Sequence, residues 1–160
     1  MLSDTIHFMR EAGDGTADLF YDRTVTIWNK YTDGLMETEI WLPTLIENVR
    51  LLVSKGNNVM NSGLDSADSA RLHIMDGASV LGKPYLDPVE WEKLPNEEKA
   101  QYFTLESEND SFFVEGDATA VNSTDNANFF NFMKENYHNC FKITNIDRFE
   151  IIPHWECWGK

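Results

Sequence analysis

The chain has 160 residues, of which 42% are hydrophobic, and a formal net charge of −14 at pH 7. That length suits one domain that buries about 68–70% of the surface exposed by its unfolded form, so folding needs no disulfide or metal staple. The charge argues against a protein that grips nucleic acid by neutralising phosphates, and no run of 18 apolar residues is present to span a membrane as a helix.

Two cysteines, Cys140 and Cys157, are too few for a disulfide framework and predict a reducing, cytoplasmic setting. The opening MLSDTIHFMREAGDG has no apolar core behind positive charge, which predicts no secretory signal. The acidic balance has two readings. It keeps the protein soluble, or it lets a surface lie near DNA or another anionic partner without sticking.

Residues 1–21 read as an arm, with Gly13 and Gly15 breaking any helix beyond a short one over Thr5–Glu11. The first strand is DRTVTIWNK (22–30), where Val25 and Ile27 alternate with Thr24 and Thr26. Asp33-Gly34 signals a hairpin turn, and the return strand covers 37–54, interrupted by Pro43, which implies an edge position, a bulge or two separate strands. The Gly-, Asn- and Ser-rich stretch 55–69 predicts a long exposed loop. A third strand follows at 70–76, with His73 on the face opposite Leu72 and Ile74.

Asp87 suits an N-cap and Pro88 the first helical position, and Asn96 can cap a second short helix over Glu97–Gln101. YFTLES and DSFFVEGD predict two strands around Glu108–Asp110. A further helix is expected within 122–139, capped by Asp125 and carrying an apolar stripe of Phe129, Phe130, Met133 and Tyr137. In the last segment the alternation slips near Thr144–Asp147, which predicts a bulge or turn. Trp155 and Cys157 then share one face of the final strand, and Trp158 takes the other. Seven or eight short strands, two or three helical pieces and no βαβ alternation predict a mainly β fold: a small antiparallel barrel or sandwich with long loops.

Chemistry is thinly signalled. His138, Cys140, His154 and Cys157 contain metal-binding residue types, but their spacing matches no usual zinc motif. No G-x-S-x-G elbow and no phosphate-binding Gly-Lys-Ser/Thr loop is present. The abundant carboxylates identify no acid–base pair without geometry. The expectation is a non-enzymatic interaction or assembly protein with no metal or other cofactor.

TVTIWNKYTDGLMETEIWLPTLIENVRLLVS resembles the opening of small head–tail connector proteins of tailed bacteriophages, the head-closure, head–tail joining and minor capsid proteins. Val25–Lys30, Trp41, Thr44, Ile46, Asn48 and Val49 carry the match. The ending FKITNIDRFEIIPHWECWGK resembles that of related proteins from phages and prophages of Gram-positive bacteria. The likeness covers residues 22–75 and 139–160, and the stretch 84–138 departs from the shortest connectors as an acidic, partly helical insert.

The resemblance implies a β-barrel domain over 22–160 and assembly as a ring, commonly of twelve copies, between portal and tail in the virion. Portal or adaptor and tail proteins would be its partners, and DNA would pass through without specific binding. Twelve copies at −14 each would carry about −168, partly screened by salt. Trp155, Trp158 and the arm residue Phe8 are then candidates for the partner interface, since large aromatics dominate such contacts. Glu106, Glu108, Asp110 and Glu115 are candidates for a DNA-facing acidic lining, and the loop 55–69 for a gating element. Two alternatives stand beside this: a tail-completion or terminator protein, and a monomeric cytoplasmic module with an acidic groove for a cationic partner.

Overall fold

The computed structural model describes residues 20–60, 63–66, 68–76, 79–80, 83–124 and 127–160. Most of the arm at 1–21, including Phe8, lies outside the described residues, as does Asp125. The strands are β1 (Arg23–Asp33), β2 (Thr38–Ser54), β3 (Asn57–Met60), β4 (Gly63–Ser66), β5 (Ser69–Met75), β6 (Ser79–Val80), β7 (Phe112–Glu115), β8 (Cys140–Phe149) and β9 (His154–Gly159). Among the described residues three short helical pieces accompany them: α1 (Pro88–Lys93), a 3-10 turn over Asn96–Gln101 and α2 (Phe129–Asn136).

Six strands form an antiparallel sheet in the order β1-β7-β8-β9-β5-β2, and β2 pairs again with β1 to close it. Closure removes the two long edges that would otherwise offer unpaired backbone groups to other chains. The mainly β, antiparallel expectation holds. The stretch 84–138 supplies β7, which separates β1 from β8 and completes the closure.

The two-residue period of β1 explains the layering. Val25 and Ile27 point inward to join Ile46, Val49, Leu72, Phe113, Phe141, Ile143 and Cys157 in the enclosed core. Trp28 points outward into a second core with Trp41, Phe112, Val114, Phe129, Met133 and Cys140. The amphipathic helix α2 covers this outer core with Phe129 and Met133. Ring centroids of Trp28 and Phe129 lie 4.7 Å apart at a steep angle, and those of Trp41 and Phe112 lie 5.2 Å apart. Such edge-to-face pairs contribute about 0.5–1.5 kcal/mol each beyond their buried area.

β2 pairs with β1 along its first part and with β5 from Arg50 to Ser54. The transfer occurs at Asn48, which has φ 62° and no partner in the register between Thr24↔Glu47 and Arg23↔Val49. Asparagine tolerates this left-handed conformation, and the bulge turns the strand around the corner of the closed sheet. At the other end of the chain, Gly159 passes close to the enclosed core: a Cβ there would sit 2.7 Å from Phe141 Cβ.

Several local expectations change. β2 runs unbroken through Pro43, which takes the edge position among its alternatives: it sits opposite Trp28 where the described residues place no strand on the other side. The hairpin expected at Asp33-Gly34 is present, with a four-residue tip at 34–37. Asp33 accepts a hydrogen bond from the Leu35 N–H (3.0 Å), and Glu37 takes the positive φ of 51°.

Residues 55–69 contain the β3–β4 hairpin, where a loop was expected. The 102–106 stretch is irregular apart from a single parallel bridge between Tyr85 and Phe103. The Thr104 backbone is held by the buried Asn29 side chain, which donates to Thr104 O and accepts from Thr104 N, and which also donates to Ser111 Oγ. Asp87 caps α1 by accepting from Val89 N (2.9 Å), as its position before Pro88 implied. The second short helix is a 3-10 turn preceded by Pro95, with no side-chain cap from Asn96. α2 starts at Phe129, later than expected, and Asn128 caps it by accepting from Asn131 N.

Candidate functional site

β9 (His154–Gly159) carries both tryptophans expected at a partner interface. Its alternation directs Cys157 and Trp155 to the enclosed core and leaves His154, Glu156 and Trp158 on the outer face. The bulge between Ile143 and Asn145 in β8 restores the phase, so that Ile146 packs on the same core as Ile143. The expected slip and the expected facing of the three β9 residues both appear. Trp155 also stacks near Tyr85 (4.8 Å between centroids), under the Arg148 guanidinium at 4.9 Å. It is therefore half-buried at the rim of the chain's own enclosed core. Trp158 is 36% exposed, with the Arg71 guanidinium 4.1 Å from its ring centre and its indole N–H donated to Asp147 (3.1 Å).

Next to Trp158 on this face the register brings three chemically active side chains together. His73 of β5 lies opposite Glu156 of β9, and His154 stands two residues before Glu156 on the same side. The potential ligand atoms of these three residues all lie within 4.8 Å of one another. The two imidazoles stack in parallel at 5.7 Å, and Phe149 stacks on the other side of His154 at 4.8 Å. His154 Nδ1 is 2.6 Å from Ile152 O, and its Nε2 is 3.0 Å from a Glu156 oxygen. His73 Nε2 is 3.9 Å from the other Glu156 oxygen and has no hydrogen-bond partner.

Burial lowers the His73 pKa, and the nearby Arg50, His154 and Arg71 charges oppose its protonation further, outweighing Glu156. For His154 burial acts the same way, but hydrogen bonds to Glu156 and Ile152 raise its pKa above the ordinary value.

One rim of the closed sheet is apolar. β1 and β8 both run opposite to β7, which lies between them, so their C-terminal ends leave the sheet at the same rim. There the 34–37 tip exposes Leu35 (96%) and Met36, and the tip between β8 and β9 exposes Ile151 (98%) and Ile152 (64%). These four large apolar side chains thus stand exposed on two tips at one rim, beside the exposed Glu37 and Glu150.

The four acidic candidates have different surroundings. Glu106 accepts from the N–H groups of Glu108, Asn109 and Ser111 and from the Ser111 hydroxyl, so it organises its own loop. Asp110 pairs with Lys30 (3.0 Å) and Lys142 (3.2 Å), which hold its pKa below the usual carboxylate value. Glu115 pairs with Arg23 (2.5 Å) and accepts from Asn139 (2.7 Å). Glu108 is exposed.

The His/Cys set considered from sequence is not brought together. Cys140 lies in the outer core and Cys157 in the enclosed one, and burial pushes both thiols up to about 12. The histidine pair was not legible because it depends on the β5–β9 register. An open cleft of about 830 Å³ lies between α1, the 3-10 turn and residues 104–109. Its buried Lys99 ammonium is committed to the carbonyls of Glu92 and Leu94, at the C-terminal end of α1.

No curated protein and no solved structure matches the chain. Residues 20–160, spanning every described element, match one family, and the chain belongs to it: the family of unknown function DUF6751.

Proposed function

We propose that this protein is a structural subunit of a tailed-bacteriophage virion, a head-closure or head–tail connector that forms a ring between portal and tail. The observation that carries this reading is the pairing of a closed sheet with exposed apolar tips, Leu35-Met36 and Ile151-Ile152, on one rim. Tips gathered on one rim suit contact with a ring stacked on that rim, such as the portal or the tail. The sequence resemblance over 22–75 and 139–160 supports the same role, and those segments supply β1, β2, β5, β8 and β9 of the closed sheet.

The charge supports passage of DNA more than binding to it. A net −14 per copy repels phosphate at close range, and the Asp110 and Glu115 carboxylates are balanced within the chain, so repulsion falls to unpaired acids such as Glu108. The half-exposed Trp158 is a further anchor on the outer face.

The test is assembly of the full chain with the portal ring encoded beside it, followed by electron microscopy and native mass spectrometry. Rings on the portal, lost in a folded Leu35→Asp/Ile151→Asp variant, are the expected result. A sixfold ring on a tail tube would move the protein to the terminator class. A monomer that ignores both portal and tail would overturn the proposal.

A further inference from the structure

We propose that His73, His154 and Glu156 form a binding site for a divalent transition-metal ion of the zinc class. His154 Nδ1 lies 2.6 Å from the Ile152 carbonyl, which can only accept, so Nδ1 carries the proton. In a neutral imidazole Nε2 is then a lone pair, and it faces a Glu156 oxygen at 3.0 Å. A lone pair against a carboxylate repels, so a positive charge belongs between them. A proton on His154 would supply it, yet would leave His73 Nε2 as it stands: buried, aimed at Glu156 and without a partner. A metal ion satisfies both imidazoles and the carboxylate together.

The geometry suits that ion. Zinc takes imidazole nitrogen and carboxylate oxygen at about 2.0–2.2 Å, which places ligand atoms about 3.3–3.5 Å apart in a tetrahedron. The three atoms here lie within 4.8 Å, so the set must close by about 1.3–1.5 Å, with the His73 ring turning out of its parallel stack on His154 so that both Nε2 lone pairs meet one ion. The Ile152 carbonyl already locks the His154 tautomer and Phe149 stacks on its ring, the kind of contact that fixes a metal ligand. Water would occupy the fourth position. The bound ion would join β5 to the root of the β8–β9 hairpin and so brace the tip bearing Ile151 and Ile152. Arg50 and Arg71 bring positive charge to the same face, which makes the expected affinity lower than that of a closed four-ligand structural site.

The test uses the full chain with zinc or cobalt(II) alone. Equilibrium dialysis and elemental analysis should give one metal per chain, and cobalt should produce visible d–d bands with no thiolate charge-transfer band. Zinc should raise the melting temperature in proportion to the logarithm of its excess over the dissociation constant. His154→Gln and Glu156→Gln should each weaken binding by at least ~10-fold, while Cys140→Ser/Cys157→Ser should leave it unchanged. Circular dichroism checks that each variant folds. If the ligand variants fail to fold, the wild-type stoichiometry and cobalt spectrum decide. No stoichiometric metal, a thiolate band, or full binding in a folded His73→Gln variant would overturn the proposal. None of these outcomes depends on ring assembly.

Discussion

The outer side of the closed sheet has two contrasting regions. Around β1, β7 and the start of β8, α2 seals Trp28, Phe112 and Cys140 beneath Phe129 and Met133. Around β5 and β9, no described helix covers the sheet, and Trp158, Phe149 and the His73–His154–Glu156 group lie at or near the surface. Both regions are rich in aromatic residues. In the first the rings pack on one another and exclude water. In the second they stack on histidine and arginine and keep a polar face. The difference teaches that aromatic content alone says little about function. What matters is whether the partner of each ring lies within the same chain.

The largest test of this contrast is Phe129→Ala, which removes the ring that touches Trp28, Trp41 and Phe112 together. A loss of about 3–5 kcal/mol in denaturant unfolding is expected for a buried phenylalanine of this kind. Next comes Asn29→Ala. Its buried amide makes three hydrogen bonds to Thr104 and Ser111, and removal leaves the Thr104 N–H and carbonyl without that partner, while the Ser111 hydroxyl keeps Glu106. A loss of about 2–3 kcal/mol is expected, with protection of the 104–111 backbone lost in hydrogen exchange. Gly159→Ala drives a methyl into Phe141 and Phe113 and should cost about 1–3 kcal/mol in the same unfolding assay.

At the open region the expectation reverses. Trp158→Ala should change stability by only about 0.5–1 kcal/mol, the scale of an exposed cation–π contact, while weakening any partner or ring assembly measured by light scattering. A loss as large as that of Phe129→Ala would erase the distinction between the two regions.

The smallest effects are those of pH. Arg148 and the Lys30/Lys142 pair hold the Asp76 and Asp110 carboxyls below their ordinary value of 3.8. Their stabilising contribution is complete above that value and is lost as pH falls through the lower folded-state values. Asp110→Asn should therefore flatten the acid side of a stability–pH curve. The histidines act oppositely to each other. The contribution of His154, whose pKa is raised, is present below pH 6.5 and lost as pH rises through its folded value. His73, whose pKa is lowered, stabilises above pH 6.5, and that contribution is lost as pH falls through its folded value. His154→Gln should therefore leave a curve that rises more steeply with pH near neutrality.

Local signals determined much of the fold. The alternation of Val25 and Ile27, the Asp87-Pro88 helix start, the bulge near Thr144 and the opposed facing of Trp155 and Trp158 all follow from periods and caps that act over a few residues. Pairing between distant segments was decided by tertiary structure. Residues 55–69 read as a loop because turn residues outnumber strand formers, yet two short segments within them pair with each other. Asn29 and Ser111 sit 82 positions apart and meet only after β7 has docked against β1. The histidine group depends on a β5–β9 register in which a shift of one residue would place His73 against Trp155 or Cys157. Composition and periodicity thus settled which residues face inward, because burial rewards each apolar side chain separately. Which outward residues meet was left to the closed sheet, because only its pairing brings chemistry from opposite ends of the chain within bonding distance.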